Sequence, residues 1–361
     1  MESSGAARRR GGAAVHSGVA PDILIIRLSS IGDILLTTPL LRGLRERHPE
    51  ARITYVTSAR FVSLLEHNPR ITRVVGWERE TGLRGLGAAV RQSGGAAGAA
   101  RGGGFTHRLD LQDSLRTRAL RWQVGGRWRT YPKHRVARAA MIRWKRDWYR
   151  DRRPVAERYF DAAGDLGVSP DDGSLEIFLP RSATEAADAL LRESPAASQQ
   201  LIAIAPGASR FTKRWPMHHW TALTRRLAEQ GNTVVVIGGT MDREAAGEIA
   251  ASANGPAISA AGLDLPSTAA LLKRCRALIA GDTGQMHLAT AVGTPVLALF
   301  GPTVEAFGFF PYHAKAAVLQ ADLPCRPCSS HGSSACPLRH HRCLQDLRPA
   351  EVLAALRKLP R

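Results

Sequence analysis

Three short stretches of this chain carry residue types that could do chemistry at the ends of strands. The first is Leu278 to Thr303, in which a short apolar run gives way to Gly281-Asp282-Thr283-Gly284. A small-residue helix over about Gln285–Val292 and a second apolar run over Val296–Phe300 follow. That order reads as a βαβ unit. In such a unit the turn offers free backbone N–H groups and the positive end of a helix to an anion. Asp282 can accept from sugar hydroxyls, Thr283 and Gly284 can donate to phosphate, and His287 lies one helical turn further on. The second stretch, Pro206 to Pro216, follows another strand. Gly207 allows close approach, Ser209 supplies a hydroxyl, and Lys213 with Arg214 supplies charge for phosphate. It is not a Walker sequence, and no GxGxxG follows any strand, which disfavours a nucleoside triphosphatase or a nicotinamide enzyme. In the third, Asp33 stands where a strand feeds a helix, after Ser29, Ser30 and Gly32. A carboxylate there either stabilises the helix start or faces a ligand as a general base. Asp110, Gln112 and Ser114 follow a further strand end and are expected to line the same cleft.

The elements that must position these residues alternate as β and α, which implies parallel sheets with helices on their faces. Strands are predicted at Ile23–Leu28, Arg52–Val56, Arg73–Val75, Thr106–Leu111 and Leu175–Leu179. A second series begins with strands at Leu201–Ala205 and Thr233–Ile237. The expected organisation is a disordered tail over 1–20, a first α/β domain over 21–182, a linker over 183–200, a second α/β domain over 201–347, and a terminal helix over 348–361. Clefts between two such halves are favoured ligand sites. Residues 82–104 hold nine glycines and six alanines, a composition expected to form a mobile insertion rather than core.

The 361 residues carry a formal charge of +19. Between Arg108 and Arg153 stand fifteen Lys or Arg against four Asp, interleaved with Trp122, Trp128, Trp144 and Trp148. Such a surface suits an anionic membrane face, a phosphorylated glycan or a nucleic acid. No apolar run is long enough to cross a bilayer. Cys325-x-x-Cys328 has metal-ligand spacing, and with Cys336 and Cys343 it could form a structural zinc site, a disulfide knuckle or four free thiols.

Taken together, SSIGDILLTTPLL (Ser29 to Leu41), PGASRFTKRWPMHHW (Pro206 to Trp220) and GDTGQMHLATAVGTPVLALFGPT (Gly281 to Thr303) resemble glycosyltransferase family nine, the ADP-heptose:lipopolysaccharide heptosyltransferases. The CxxC…CP…HHRC segment is similar to one in members labelled heptosyltransferase II. The resemblance implies a GT-B fold, with two Rossmann-like domains facing an interdomain cleft, and inverting transfer of a heptose from ADP-heptose without a catalytic metal. It places the catalytic aspartate on Asp33 and the phosphate lysine on Lys213, with Ser209 beside it. The nucleotide-binding residues fall on Asp282, Thr283, Gly284 and His287, and Leu263 falls near the base. Where some members carry a ribose-binding glutamate, this chain has Met241. The implied acceptor is the lipid A–Kdo inner core, at the anionic cytoplasmic face of the inner membrane, with no nucleic acid partner. The competing readings are a nucleic-acid-binding protein using the Trp-rich basic block and an inactive sugar-nucleotide-binding module.

Overall fold

The computed structural model describes residues 20–78, 80, 82–93, 104–193 and 200–360; the tail expected to be disordered lies outside them except for Ala20. In chain order, the first body consists of β1 (Asp22–Ile26), α1 (Ile31–Leu35), α2 (Thr38–Arg47), β2 (Arg52–Ser58), β3 (Arg73–Trp77), α3 (Gly82–Ser93), β4 (His107–Asp110), α4 (Leu115–Val124), β5 (Arg129–Thr130), α5 (Arg135–Trp144) and α6 (Val155–Arg158). The second consists of α7 (Arg181–Arg192), β6 (Gln200–Ala205), α8 (Met217–Glu229), β7 (Asn232–Val236), α9 (Arg243–Ala251), β8 (Ala257–Ser259), α10 (Leu265–Lys273), β9 (Ala277–Gly281), α11 (Gly284–Ala291), β10 (Val296–Phe300), β11 (Ala316–Gln320), α12 (Arg342–Gln345) and α13 (Pro349–Lys358).

Among the described residues each body holds one sheet, and every strand pair is parallel. The strand orders are β3-β2-β1-β4-β5 and β11-β10-β9-β6-β7-β8. Strands covered by helices on both faces must be apolar on both, hence the unbroken runs of β1, β9 and β10, buried at every position. Each order reverses once, between β1 and β4 and between β6 and β9. At such a reversal the connecting loops leave toward opposite faces of the sheet and open a crevice at the strands' carboxyl ends. The loops after β1, β4, β6 and β9 are those that carry the chemistry-bearing residues.

Several expectations are corrected. The sequence pattern predicts one helix from Ile34 to about Arg47 with Pro39 early in it; the chain instead breaks after Leu35, and Pro39 opens α2 near its first position, where its missing N–H costs nothing. The part of the Gly/Ala segment described is not a loose insertion. It forms α3, whose Leu86 and Val90 are buried with Trp77, Phe105, Leu120 and Val124. Apolar residues four apart suffice to seat one face of a helix, whatever the average composition; residues 94–103 lie outside the described residues. The expected linker begins as α7, which packs on α10 and buries Ala183 and Ala187. Among the described residues Leu175–Leu179 pairs with no strand. That stretch is held by side chains instead: buried Arg42 forks onto Asp171 at 2.6 and 2.7 Å, and Glu176 accepts from Arg42 and Arg70. Strands β5 and β11 are not anticipated by the sequence reading; β5 has two residues, and β11 is a half-buried edge.

Candidate active site

On the first body the site grows from the turn after β1. Ser30 precedes α1 and Asp33 is its third residue, so the Asp33 carboxylate reaches back to accept from the Ser30 amide at 3.1 Å and the Ser30 hydroxyl at 2.8 Å. Its other oxygen pairs with the guanidinium of Arg27, a residue the sequence reading leaves inside an apolar strand. Arg27 is nearly buried; it also donates to the Ser29 carbonyl at 2.9 Å and to the Leu111 carbonyl, and lies over the Tyr159 ring. Burial alone would raise the Asp33 pKa, but the Arg27 charge and the Ser30 hydrogen bonds outweigh it and hold the carboxyl below its ordinary value. The signal for Arg27 was available: a cation at the carboxyl end of a buried parallel strand needs an anion at the same crevice.

In the loop after β4 the polar side chains are engaged by the surrounding backbone. Asp110 is wholly buried and spends one oxygen on the amides of Gln112 and Asp113, at 3.0 and 2.8 Å, and the other on Arg121. The Gln112 side-chain carbonyl accepts from the amides of Leu28 and Ser29, at 3.1 and 3.2 Å. Ser114 caps α4. Of the three, Gln112 ties this loop to the one after β1, while Asp110 and Ser114 brace their own loop and the start of α4. Lys133, missed by the sequence reading, holds the same loop by donating to the carbonyls of Gln112 and Asp113; burial first, then Arg27, pulls its pKa down to about 8.

On the second body Lys213 and Asp282 come together from the loops after β6 and β9. They pair at 2.6 Å, and Thr303 donates to the same Asp282 oxygen at 2.7 Å. The glycines allow this approach. A Cβ on Gly281 would stand 2.9 Å from the Lys213 carbonyl oxygen, and one on Gly301 would stand 3.1 Å from that of Thr212. At the start of α11, Thr283 Oγ1, Gln285 Oε1 and His287 Nδ1 are buried without a hydrogen-bond partner among the described residues. Each such group costs about 1–3 kcal/mol until a polar ligand meets it. His287 is buried. Burial pushes its pKa down to about 4, against the pull of Asp282 and Asp33, so its ring is neutral near pH 7. Ser209 is exposed on the loop, and Leu263 is half-buried beside the core. Met241 is exposed. The Asp242 carboxylate accepts from the Gly239 amide at 2.8 Å and packs where a Cβ on Gly207 would fall.

The two halves meet at their helix starts. A Cβ on Gly32 would collide with the His287 ring, and one on Gly284 would stand 2.7 Å from Ile31 Cβ. Asp33 is therefore one residue from the contact that brings His287, and behind it Lys213 and Asp282, to the same crevice. The family model for glycosyltransferase family 9 (heptosyltransferase) matches residues 99–338.

The chain belongs to glycosyltransferase family 9.

This family 9 glycosyltransferase is 28% identical to lipopolysaccharide heptosyltransferase 1 of Pseudomonas aeruginosa, over 94% of each chain. It is 26% identical to lipopolysaccharide heptosyltransferase 2 of Escherichia coli, over 93% of this chain and 98% of that one. Among solved structures it resembles a family 9 glycosyl transferase from Veillonella parvula (TM-score 0.76, 25% identity, covering 96% of this chain and 98% of that one). It also resembles the E. coli ADP-heptose lps heptosyltransferase II (TM-score 0.69, 24% identity, covering 93% and 98%). The architecture is GT-B, as the sequence motifs imply, and the nucleic-acid-binding alternative is set aside by the family.

Two features lie apart from this crevice. A concavity of about 390 Å³ is lined by Lys145, Asp147 and Arg152 from one body and Glu305, Asp322 and Arg326 from the other; the named site residues do not line it. The four terminal cysteines are free thiols, and among the described residues no group of three His, Cys, Asp or Glu is disposed to hold a metal.

Proposed function

We propose that this family 9 glycosyltransferase moves a heptose from ADP-heptose to an inner-core sugar of lipopolysaccharide by a single inverting displacement. What carries the reading is the meeting of two crevices: a half-buried, ionised carboxylate on one side, and a lysine with a helix start on the other. The acceptor hydroxyl attacks the anomeric carbon while Asp33 takes its proton. The bond from that carbon to the diphosphate oxygen breaks, and ADP leaves with the electron pair. Lys213, held against Asp282 in the resting arrangement, turns its charge to the diphosphate, and the N–H groups opening α11 add their dipole. Ser209, Thr283, Gly284 and His287 line the donor side, and Leu263 lies toward the base. No catalytic metal enters this reading, and neither does the structural zinc that the cysteine spacing admits.

The acceptor is a membrane lipid, and the chain offers a surface for it. Among the described residues no helix is long and apolar enough to cross a membrane. Leu115, Trp122, Val136, Trp144 and Trp148 are nevertheless exposed amid the basic block. Apolar side chains ringed by arginine suit the interface of an anionic bilayer, here the cytoplasmic face of the inner membrane.

The test is Asp33→Asn. The amide keeps the shape and cannot take the proton, so transfer should fall roughly a hundredfold to ten-thousandfold, while ADP binding stays within a few-fold of the parent. A folded variant with turnover close to that of the parent removes Asp33 from the mechanism.

A further inference from the structure

The donor-side reading leaves the segment 329–347, with its cysteines and histidines, without a role. We propose that this segment is a positioning clamp for the phosphate loop, in which Ser333 and His341 set Lys213 through Thr212. The inference rests on the assignment of Lys213 to the donor.

The turn Phe211–Lys213 is a single short helical turn, too short to hold one conformation by its own hydrogen bonds. Its middle residue, Thr212, is buried, and the clamp takes all of its polar groups. The Thr212 amide donates to the Ser333 carbonyl at 3.2 Å, and its hydroxyl accepts from the Ser333 amide at 2.8 Å. Its carbonyl accepts from His341 Nε2 at 3.2 Å. The neighbouring residues are engaged as well. The Phe211 and His341 rings lie 5.0 Å apart, and Trp215 Nε1 donates to the Leu347 carbonyl at 2.9 Å. A Cβ on Gly332 would stand 3.1 Å from Lys213 Cγ, so the clamp also supports the lysine's stem.

From the opposite side Gly281 and Gly301 receive the carbonyls of Lys213 and Thr212. The backbone that carries Lys213 is therefore held between the ends of β9 and β10 and the clamp, with the ammonium 2.6 Å from Asp282. His341 itself adopts a left-handed backbone, φ +47°. Asparagine tolerates that conformation while being too short to reach Thr212.

ADP affinity, measured by titration calorimetry in the parent, His341→Asn, Lys213→Ala and the double variant, tests the clamp. His341→Asn should weaken ADP binding about fivefold, the scale of one lost hydrogen bond. In the Lys213→Ala background the same change should cost less than twofold, because a positioning residue has nothing left to position. Equal losses in both backgrounds, or no loss in the parent, would overturn the clamp and leave the donor reading intact. Unaltered ADP binding by Lys213→Ala would overturn the donor reading, and the clamp with it. Should His341→Asn fail to fold, Thr212→Val measured against Thr212→Ser reads the same coupling: the serine keeps the hydroxyl and should bind as the parent does, and a valine variant equal to the serine one would overturn the clamp.

Discussion

At the scale of single residues the site is set by pairs of opposite charge. Asp33 is held ionised by Arg27, and Lys213 is held in place by Asp282. An ionised base is useful only if the proton it receives can leave again. The depressed Asp33 pKa therefore places the acid limb of kcat/KM below the ordinary carboxylate range. His287 gives a stability signature of its own. Its folded pKa is depressed to about 4, below the ordinary value of about 6.5. The native state therefore binds fewer protons than the unfolded chain between those values. The neutral ring's contribution is complete above the unfolded pKa and is lost as pH falls toward about 4, on the order of 3 kcal/mol in all. Urea unfolding at pH 7 and pH 5 should show the parent losing stability over this window, and His287→Gln should flatten that part of the profile. An unchanged slope in the variant would mean that His287 is not buried as the structure has it.

At the scale of elements, the start of α1 and the start of α11 face each other with glycine on both sides. Gly32→Ala puts a methyl against the His287 ring, and Gly284→Ala puts one against Ile31. Overpacking of this kind typically costs about 1–3 kcal/mol. Because the strained contact lies across the crevice, it should also separate Asp33 from the donor loops. Gly32→Ala should therefore lower kcat by more than its effect on ADP affinity, since the donor loops belong to the other body. Equal kcat in a folded Gly32→Ala protein would show that the helix starts need not touch during transfer. The cap on α1 has a double use: Ser30 stabilises the helix start and holds one carboxylate oxygen of the proposed base. The helix-start and general-base readings of Asp33 are thus two aspects of one arrangement.

At the scale of the whole molecule the excess positive charge is a surface property with a direction. The exposed tryptophans Trp144 and Trp148 pair at 6.0 Å beside Arg143, Arg146 and Arg150, all exposed. Lys145, in the same run, is spent on the carbonyls of Cys325 and Pro327 and joins the two bodies. A charge-reversal test should leave it alone. Arg143→Glu, Arg146→Glu and Arg150→Glu together should weaken binding to vesicles containing anionic lipid, each arginine near such a surface being worth on the order of 1 kcal/mol. Transfer to a soluble, lipid-free acceptor should be retained. Vesicle binding equal to that of the parent would remove this face from membrane docking.

The sequence by itself determined the alternation of buried parallel strands and helices, and with it the positions where strands end. That is why Asp33, Lys213, Asp282 and His287 could be named: each stands within a few residues of an apolar run whose length and turn residues are local properties. Long-range pairing was not local, and the rest depended on it. Arg27 looked like one polar letter in an apolar strand until the fold placed it beside Asp33. Gln112 looked free because the amides that use it, those of Leu28 and Ser29, belong to a neighbouring loop that only the β1–β4 pairing brings beside it. Residues 82–93 looked unable to pack because composition averages over a helix, whereas burial needs only one face. The clamp on Thr212 joins residues more than a hundred positions apart, and no spacing rule reaches that far.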